Sequence, residues 1–191
     1  MQFDSDQLDT LYTERFGSES GERAELWQVL CTDFFQKWVP EQATVLDLAA
    51  GHCEFINNIK AGRRIAIDAN TAVVRHAAAG VESHVCRSNA MTKIVDDEVD
   101  VVFVRNFFDH ITPIDDRALA EALVASGFEV QKTIPRFLPY TTKGRLPSGP
   151  ALVRLYLRLP IAWRVLGAQA FMVARSRGAL AAHAQQDDRR G

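Results

Sequence analysis

The apolar positions of this chain form short runs separated by polar breaks, and their order predicts a strand, a helix and a second strand. The first apolar run, at residues 45–48, carries a single acid, Asp47, and the second, at residues 65–67, is followed by Asp68. Between the two runs, residues 54–59 place apolar side chains four positions apart, which is the spacing of one helix face. This succession predicts a βαβ unit, and such units bind nucleotides at the carboxyl edge of a parallel sheet.

The N-terminal stretch is predicted to form a helical cap over residues 1–40, because apolar side chains recur at every fourth position. The recurring residues are Leu26, Leu30, Phe34 and Trp38, and an adjoining row is formed by Trp27, Cys31 and Phe35. An apolar stripe of this kind is typical of a helix that packs on a domain. Covering a ligand pocket and binding a partner in a groove are the alternative interpretations of the same stripe.

Beyond residue 70 the alternation of helices and strands continues. A near-continuous apolar run at residues 99–104 predicts a parallel strand that is buried on both faces. The other predicted elements are a helix at 71–79, a strand at 84–87, a helix at 115–126, a strand at 128–137 and a final strand at 169–174. Residues 138–150 are rich in Pro, Gly and Ser and predict a long loop, a feature that often has a lid or binding role.

Residues 152–166 are apolar, with arginines at 154, 158 and 164, and Pro160 interrupts them. We interpret this stretch as packed helices, and attachment to a membrane surface is the alternative. The predicted architecture is a single α/β domain over residues 1–176: a three-layer α/β/α Rossmann-like sandwich with a mostly parallel sheet and a C-terminal antiparallel strand. Residues 177–191 are predicted to form a flexible tail.

Composition narrows the class of protein without indicating a ligand. The chain has 191 residues, of which 47% are hydrophobic and 24% are charged, so one domain with a substantial core is expected. A formal charge of −2 provides no basic face for nucleic acid, and no apolar run is long enough to span a membrane. The acidic N-terminus is unlike a signal peptide, and three well-separated cysteines predict neither a disulfide framework nor a zinc site. These features predict a protein of the reducing cytoplasm that holds no metal.

The loop after the first predicted strand lacks the fingerprint of dinucleotide-binding proteins. That fingerprint, GxGxxG, would place glycines where this chain has Ala49, Gly51 and Glu54. A carboxylate at the third position would repel a diphosphate, which disfavours NAD, FAD and nucleoside triphosphates. Asp47, Glu54 and Asp68 instead suit a ligand that carries a positive group and ribose hydroxyls. S-adenosylmethionine, with its sulfonium and its ammonium, has this chemistry.

At these residues the chain resembles the class I S-adenosylmethionine-dependent methyltransferases. Residues 47–51 stand in for the glycine-rich first motif of that family. Asp68 follows Asp47 at the sequence spacing of the acid that binds the ribose in that family. The segments DLAAGHCEFINNI, VDVVFVRNFF, SGFEV and IPRFLPYTTKGRLP are similar to one branch of small-molecule or uncharacterised methyltransferases. The resemblance covers residues 26–175, and it implies S-adenosylmethionine as the cofactor and a small molecule as the methyl acceptor.

The resemblance also implies which residues bind the cofactor. They are Asp47, Ala49, Ala50 and Gly51 for the methionine end, Asp68, Ala69 and Asn70 for the ribose, Asn89 for the adenine, and Asn106 and Phe107 beside the donor methyl.

Three further residues near this edge carry chemistry of their own. Asp109 and His110 are candidate catalytic residues, because a methyl acceptor often has to lose a proton to a general base. The alternative is an acid at the start of a helix and an exposed imidazole. Cys53, close to the start of the predicted helix, is either a thiol of lowered pKa or a small residue that fills the loop.

One part of the family's fold has no room in this chain. The family's sheet runs 3-2-1-4-5-7-6, yet here the fourth strand, at 99–104, is followed after about ten residues by the helix that should come after strand five. We hypothesise that a helix and strand five, on the order of 30 residues, have been lost between two similar segments. An incomplete sheet edge would favour a homo-oligomer. The rival functions are a non-catalytic S-adenosylmethionine-binding or associating protein and another Rossmann nucleotide-binding enzyme.

Overall fold

The computed structural model describes residues 20–87, 90–91, 94, 98–105, 115–138 and 149–176. In chain order the elements are α1 (Ser20–Asp33), a 3-10 helix (Phe35–Trp38), β1 (Thr44–Leu48), α2 (Glu54–Asn58), β2 (Arg63–Asp68), α3 (Ala72–His76), β3 (Glu82–Val85), β4 (Val101–Val104), α4 (Asp116–Ala125), β5 (Phe128–Leu138), α5 (Pro150–Arg158), α6 (Pro160–Leu166) and β6 (Gln169–Ser176). The protein is therefore a mixed α/β protein, as predicted.

The described residues fall into two compact units. The first comprises residues 20–105, as far as they are described, with 149–158, and the second comprises 115–138 with 159–176. The single domain predicted over residues 1–176 stays a prediction.

The first unit contains a four-stranded parallel sheet in the order β3-β2-β1-β4. In the register of the sheet, Leu46 of β1 lies between Ile65 of β2 and Val102 of β4. The βαβ unit and the parallel direction of β4 are thus confirmed. The prediction that this strand is buried on both faces is wrong, because it lies at the end of the four-strand order and Val102 is 53% exposed. Because parallel strands run in one direction, the carboxyl ends of β1, β2 and β4 meet at the same edge of the sheet.

The two faces of this sheet have different cores. On one face Leu46, Ile65 and Ile67 form a buried aliphatic cluster. On the other face an aromatic cluster forms, in which Phe55 of α2 stacks on Phe103 of β4 with ring centroids 3.7 Å apart. Side chains alternate along a strand, so Asp47, the neighbour of Leu46, projects from the aromatic face. The acid in the middle of β1 is therefore built into a hydrophobic layer.

The N-terminal helix packs through most of the predicted apolar stripe, but not through the first and last residues of that stripe. Trp27, Leu30 and Phe34 are buried, whereas Leu26 is only half-buried and Trp38 is 38% exposed. A helix completes a turn in 3.6 residues, so positions spaced by four drift around its axis. The helix also ends at Asp33, which places Phe34 and Trp38 beyond it. The prediction of a packed helix is confirmed, and so is the burial of the row Trp27, Cys31 and Phe35, but the burial expected of Leu26 and Trp38 is wrong.

β4 lies at one edge of the parallel sheet. Between Val104, where β4 ends, and Asp116, where α4 begins, only 11 residues remain. A crossover helix needs at least about 10–12 residues, and a strand adds about five more. In the described part of the chain there is no fifth parallel strand, so the hypothesis of a lost segment stays open.

The second unit is built on an antiparallel pair, β5 and β6, which forms a separate sheet. α4 begins where the Asp115 carboxylate accepts a hydrogen bond of 2.7 Å from the Ala118 amide, and Gly127 with a φ of 86° follows its end. Phe137 of β5 is buried, and its ring contacts the rings of Trp163 and Phe171. The antiparallel C-terminal strand is confirmed in its direction.

The apolar stretch near the C-terminus forms two helices, α5 and α6, on either side of Leu159. Trp163 of α6 packs on Phe137, as expected for a packed helix. Ile161 and Val165, however, are 78% and 74% exposed. α6 therefore packs through the face that carries Trp163, while its other face exposes apolar side chains.

Candidate functional site

The loop between β1 and α2 has an unusual backbone at the carboxyl edge of the sheet. Ala49, Gly51 and Cys53 all have positive φ angles, of 60°, 52° and 59°. A left-handed conformation costs a residue with a side chain about 1–2 kcal/mol, so Ala49 and Cys53 are strained. The loop keeps this shape through two backbone hydrogen bonds: the Ala50 amide donates to Ile67 O at 3.0 Å, and the Cys53 amide donates to Ala50 O at 2.8 Å. Observed strain of this kind is characteristic of functional loops.

The Asp68 carboxylate connects this loop to the end of β2. One of its oxygens accepts a hydrogen bond of 2.9 Å from the Gly51 amide, and the other accepts one of 2.7 Å from the Asn70 amide. An ionised carboxylate has about four acceptor positions, so each oxygen keeps capacity for a further donor. Asn70 in turn accepts a hydrogen bond from the Ala72 amide at 2.9 Å, at the start of α3. Ala69 and Asn70 are exposed beside the carboxylate.

Asp47 lies below the loop and is only 3% exposed. Burial raises the pKa of its carboxyl from 3.8 to about 7, and Glu54 and Asp68 add to this through charge repulsion. A hydrogen bond from the Ile56 backbone and the nearby Arg105 lower the pKa, but burial dominates. The structure therefore places this predicted methionine-binding acid in the core, where it exchanges its proton near neutral pH.

Two arginines lie near the acids of this site, Arg23 beside Glu54 and Arg105 near Asp47. Arg23 of α1 forms an ion pair with Glu54, the first residue of α2. The Arg105 guanidinium, directly after β4, lies 4.6 Å from the centroid of the Trp27 ring, within the range of a cation–π interaction. Burial lowers the pKa of Arg105 from its ordinary value, while Glu54 opposes that effect. Arginine nevertheless stays charged at neutral pH.

The sequence alone assigned no role to Arg23 or Arg105, and it assigned Trp27 only to the apolar stripe of the helix. Arg105 carried a usable signal, since it is a charged residue that directly follows an apolar run at the carboxyl edge of the predicted sheet. Arg23 carried none, because helix periodicity does not reveal which side chain will reach a distant element.

The structure brings together the predicted cofactor residues of the first two strands and their loops: Asp47, Ala49, Ala50, Gly51, Asp68, Ala69 and Asn70. The remaining predicted site residues, which are Asn89, Asn106, Phe107, Asp109 and His110, lie outside the described residues.

Cys53 is buried, and this burial raises the pKa of its thiol to about 12. The thiol donates a hydrogen bond to the Val73 carbonyl oxygen, with sulfur and oxygen 3.7 Å apart. A thiol in this state is protonated at neutral pH and is a poor nucleophile. This environment agrees with the interpretation of Cys53 as a small residue that fills the loop, and not with a thiol of lowered pKa.

Within the described ranges, no group of three or more His, Cys, Asp or Glu side chains is arranged to hold a metal ion. None of the helices in those ranges is both long enough and apolar enough to cross a membrane. Comparisons with protein-family models, with curated proteins and with solved structures found no match. Fold and site together define the class as a mixed α/β protein with a strained acidic loop at the carboxyl edge of a parallel sheet.

Proposed function

We propose that this protein binds S-adenosylmethionine at the carboxyl edge of its parallel sheet and transfers the methyl group to a small-molecule acceptor. In this proposal the protein has the fold of a three-layer Rossmann-like sandwich. Its proposed location is the cytoplasm. The observation that carries it is the Asp68 carboxylate, which is oriented by the Gly51 and Asn70 amides at the end of β2. Each oxygen retains acceptor capacity, so the two neighbouring hydroxyls of a ribose can each donate to one oxygen.

The charges around the loop favour a nucleoside with a positive group over a nucleotide. Glu54 occupies the first turn of α2, where a diphosphate would need backbone amides free of a nearby negative charge. Glu54, Asp68 and the ionised form of Asp47 would each repel a diphosphate. Arg23 neutralises one of these charges through its ion pair with Glu54. The same acids attract the positive charge of a sulfonium ligand.

The chemistry of the proposed reaction asks little of the protein beyond positioning. The acceptor attacks the methyl carbon in line with the sulfonium, the new bond forms as the carbon–sulfur bond breaks, and S-adenosylhomocysteine leaves. Holding donor and acceptor in this geometry supplies most of the rate enhancement. Asp109 and His110 are the proposed general bases for an acceptor that has to lose a proton.

The first test is isothermal calorimetry with S-adenosylhomocysteine and with NAD. Asp68→Ala removes two hydrogen bonds from ribose hydroxyls to a charged acceptor, each worth about 1.5 kcal/mol or more, so we expect affinity for S-adenosylhomocysteine to fall about 100-fold. Asp68→Asn, which keeps one acceptor oxygen, should give a smaller loss. Glu129→Ala, at an exposed position of β5, is the control and should leave binding unchanged.

Two results would contradict parts of this proposal. Equal affinity of wild type and Asp68→Ala would remove the ribose assignment. Tighter binding of NAD than of S-adenosylhomocysteine would favour another Rossmann nucleotide-binding enzyme. Thermal unfolding of each variant separates loss of a ligand contact from loss of the loop, since Asp68 also accepts from Gly51.

A non-catalytic S-adenosylmethionine-binding protein is the second candidate, and the short connection after β4 favours it. With only 11 residues between β4 and α4, the fifth strand of a complete methyltransferase sheet has no place there. Such a protein could associate through the edge of β4 into a homo-oligomer. Turnover against a panel of acceptors distinguishes the two: binding without any transfer supports the second candidate.

A further inference from the structure

Arg105 occupies a defined place at the proposed ligand edge. In the register of the sheet, Leu48 of β1 is paired with Val104 of β4, so Arg105 lies next to the start of the strained loop at Ala49. Phe103 packs edge-on against Trp27, with ring centroids 6.4 Å apart. Side chains two positions apart on a strand share a face, and Arg105 accordingly lies over the same Trp27 ring. Trp27 is buried and provides a fixed platform.

The Arg105 guanidinium has donors but no acceptor. In the described part of the chain no hydrogen bond or ion pair is formed by its five N–H groups. The guanidinium carbon lies 4.6 Å from the centroid of the Trp27 ring, and this contact provides no carboxylate or carbonyl oxygen to accept from the N–H groups. Of the two nearest acids, Glu54 is already paired with Arg23, and Asp47 is buried with a pKa of about 7, which leaves it only partly ionised at neutral pH.

A half-buried cation with free planar donors fits one kind of ligand group. A carboxylate can accept two parallel N–H bonds from a guanidinium, and this bidentate geometry is stronger and more specific than a single contact. The carboxylate of a ligand would also supply Arg105 with the negative charge that the Arg23–Glu54 pair and Asp47 do not provide.

We propose that Arg105 is a ligand-binding residue of this site and that the group it holds is a carboxylate of the bound ligand. The proposal rests on the proposed function in so far as the ligand is S-adenosylmethionine, whose amino-acid end carries a carboxylate. An acidic methyl acceptor bound at the same edge would carry the same group. The two sources share one chemistry, and the experiment below separates them.

The experiment compares wild type with Arg105→Met and Arg105→Lys. Calorimetry measures the affinity for S-adenosylhomocysteine and for 5′-methylthioadenosine, a nucleoside thioether that lacks the amino-acid end. If Arg105 binds the donor carboxylate, Arg105→Met weakens S-adenosylhomocysteine by about tenfold or more and leaves 5′-methylthioadenosine unchanged. Arg105→Lys retains the charge without the planar donors and should give an intermediate loss. Arg117→Met, on the exposed side of α4, is the control for loss of an arginine.

A second arm uses acetate as the carboxylate probe and thermal unfolding as the readout. Unchanged affinity for S-adenosylhomocysteine, together with stabilisation by acetate in wild type but not in Arg105→Met, assigns the carboxylate to the acceptor. The proposal is overturned if Arg105→Met changes neither response, or if it weakens both nucleosides equally, which would indicate a structural role. Should Arg105→Met fail to fold, Arg105→Lys alone decides between these outcomes.

Failure of the proposed function has a different signature. In that case wild type binds neither nucleoside, and the acetate arm still reports on Arg105 by itself. An acetate response that Arg105→Met abolishes then supports the carboxylate site without the methyl donor. No response to acetate and no binding of either nucleoside overturns both.

Discussion

Replacing Asp47 with asparagine removes a buried charge at nearly constant volume and should change how stability depends on pH. The carboxyl group is 3% exposed, and burial raises its pKa from 3.8 to about 7. A change of this size corresponds to about 4 kcal/mol between the protonated and the ionised state of the folded protein. In Asp47→Asn this cost is absent at every pH.

The direction of the pH dependence follows from proton binding. Between about pH 4 and pH 7 the folded wild type keeps the Asp47 proton, whereas the unfolded chain has released it. The folded state then binds more protons, so the contribution of Asp47 to the free energy of unfolding falls as pH rises through this range and levels off above it. Asp47→Asn lacks this decline. The stability of the variant relative to wild type should therefore rise by about 4 kcal/mol from about pH 4 to about pH 8.

Urea unfolding followed by circular dichroism at several pH values measures this difference. The informative quantity is how the difference between variant and wild type changes with pH, because the new amide donor adds an offset that does not depend on pH. Glu129→Gln, at an exposed position, corrects for the general effect of removing one carboxylate. A difference between Asp47→Asn and wild type that stays constant with pH, or that falls as pH rises, would refute the reasoning.

Two further predictions concern the backbone. Ala49→Gly should leave the protein as stable as wild type or raise its free energy of unfolding by up to about 1 kcal/mol. The reason is that relief of the left-handed conformation of Ala49 outweighs the entropy that glycine loses on folding. A clear loss of stability in urea unfolding would contradict the presence of strain at Ala49. Gly167→Ala should lower the melting temperature and cost about 1–3 kcal/mol, since a Cβ atom there would lie 2.5 Å from Trp163 O and 2.7 Å from Arg136 C. Gly149→Ala, where a Cβ atom would meet nothing within 4 Å, is its control.

Predictions from the sequence are most accurate where apolar residues form uninterrupted runs. β1, β2 and β4 lie within a few residues of the predicted strands, because each is a short run of mainly apolar residues bounded by polar breaks. The third strand is predicted at 84–87 and is found at Glu82–Val85, two residues earlier. Its sequence is polar, so apolar periodicity does not define its register. The helix predicted at 71–79 is also shorter, at Ala72–His76.

The residues of the candidate site also fall into those that the sequence could locate and those that it could not. Asp68 and the loop at Ala49–Gly51 could be located from the sequence, because an acid that ends an apolar run must lie at the carboxyl edge of the sheet. The roles of Arg23 and Arg105 could not, since both depend on contacts between residues far apart in the chain, with Glu54 and with the Trp27 ring.

The sequence by itself determined the order of strands and helices and the edge of the sheet at which the acids lie, because these depend on local patterns of apolar and polar residues. Only the tertiary structure decided the state of those acids. Asp47 is buried and titrates near neutral pH, whereas Asp68 is oriented by two backbone amides with acceptor capacity left for a ligand. The physical reason is that a carboxyl group takes its pKa and its partners from burial and from neighbours that packing brings together.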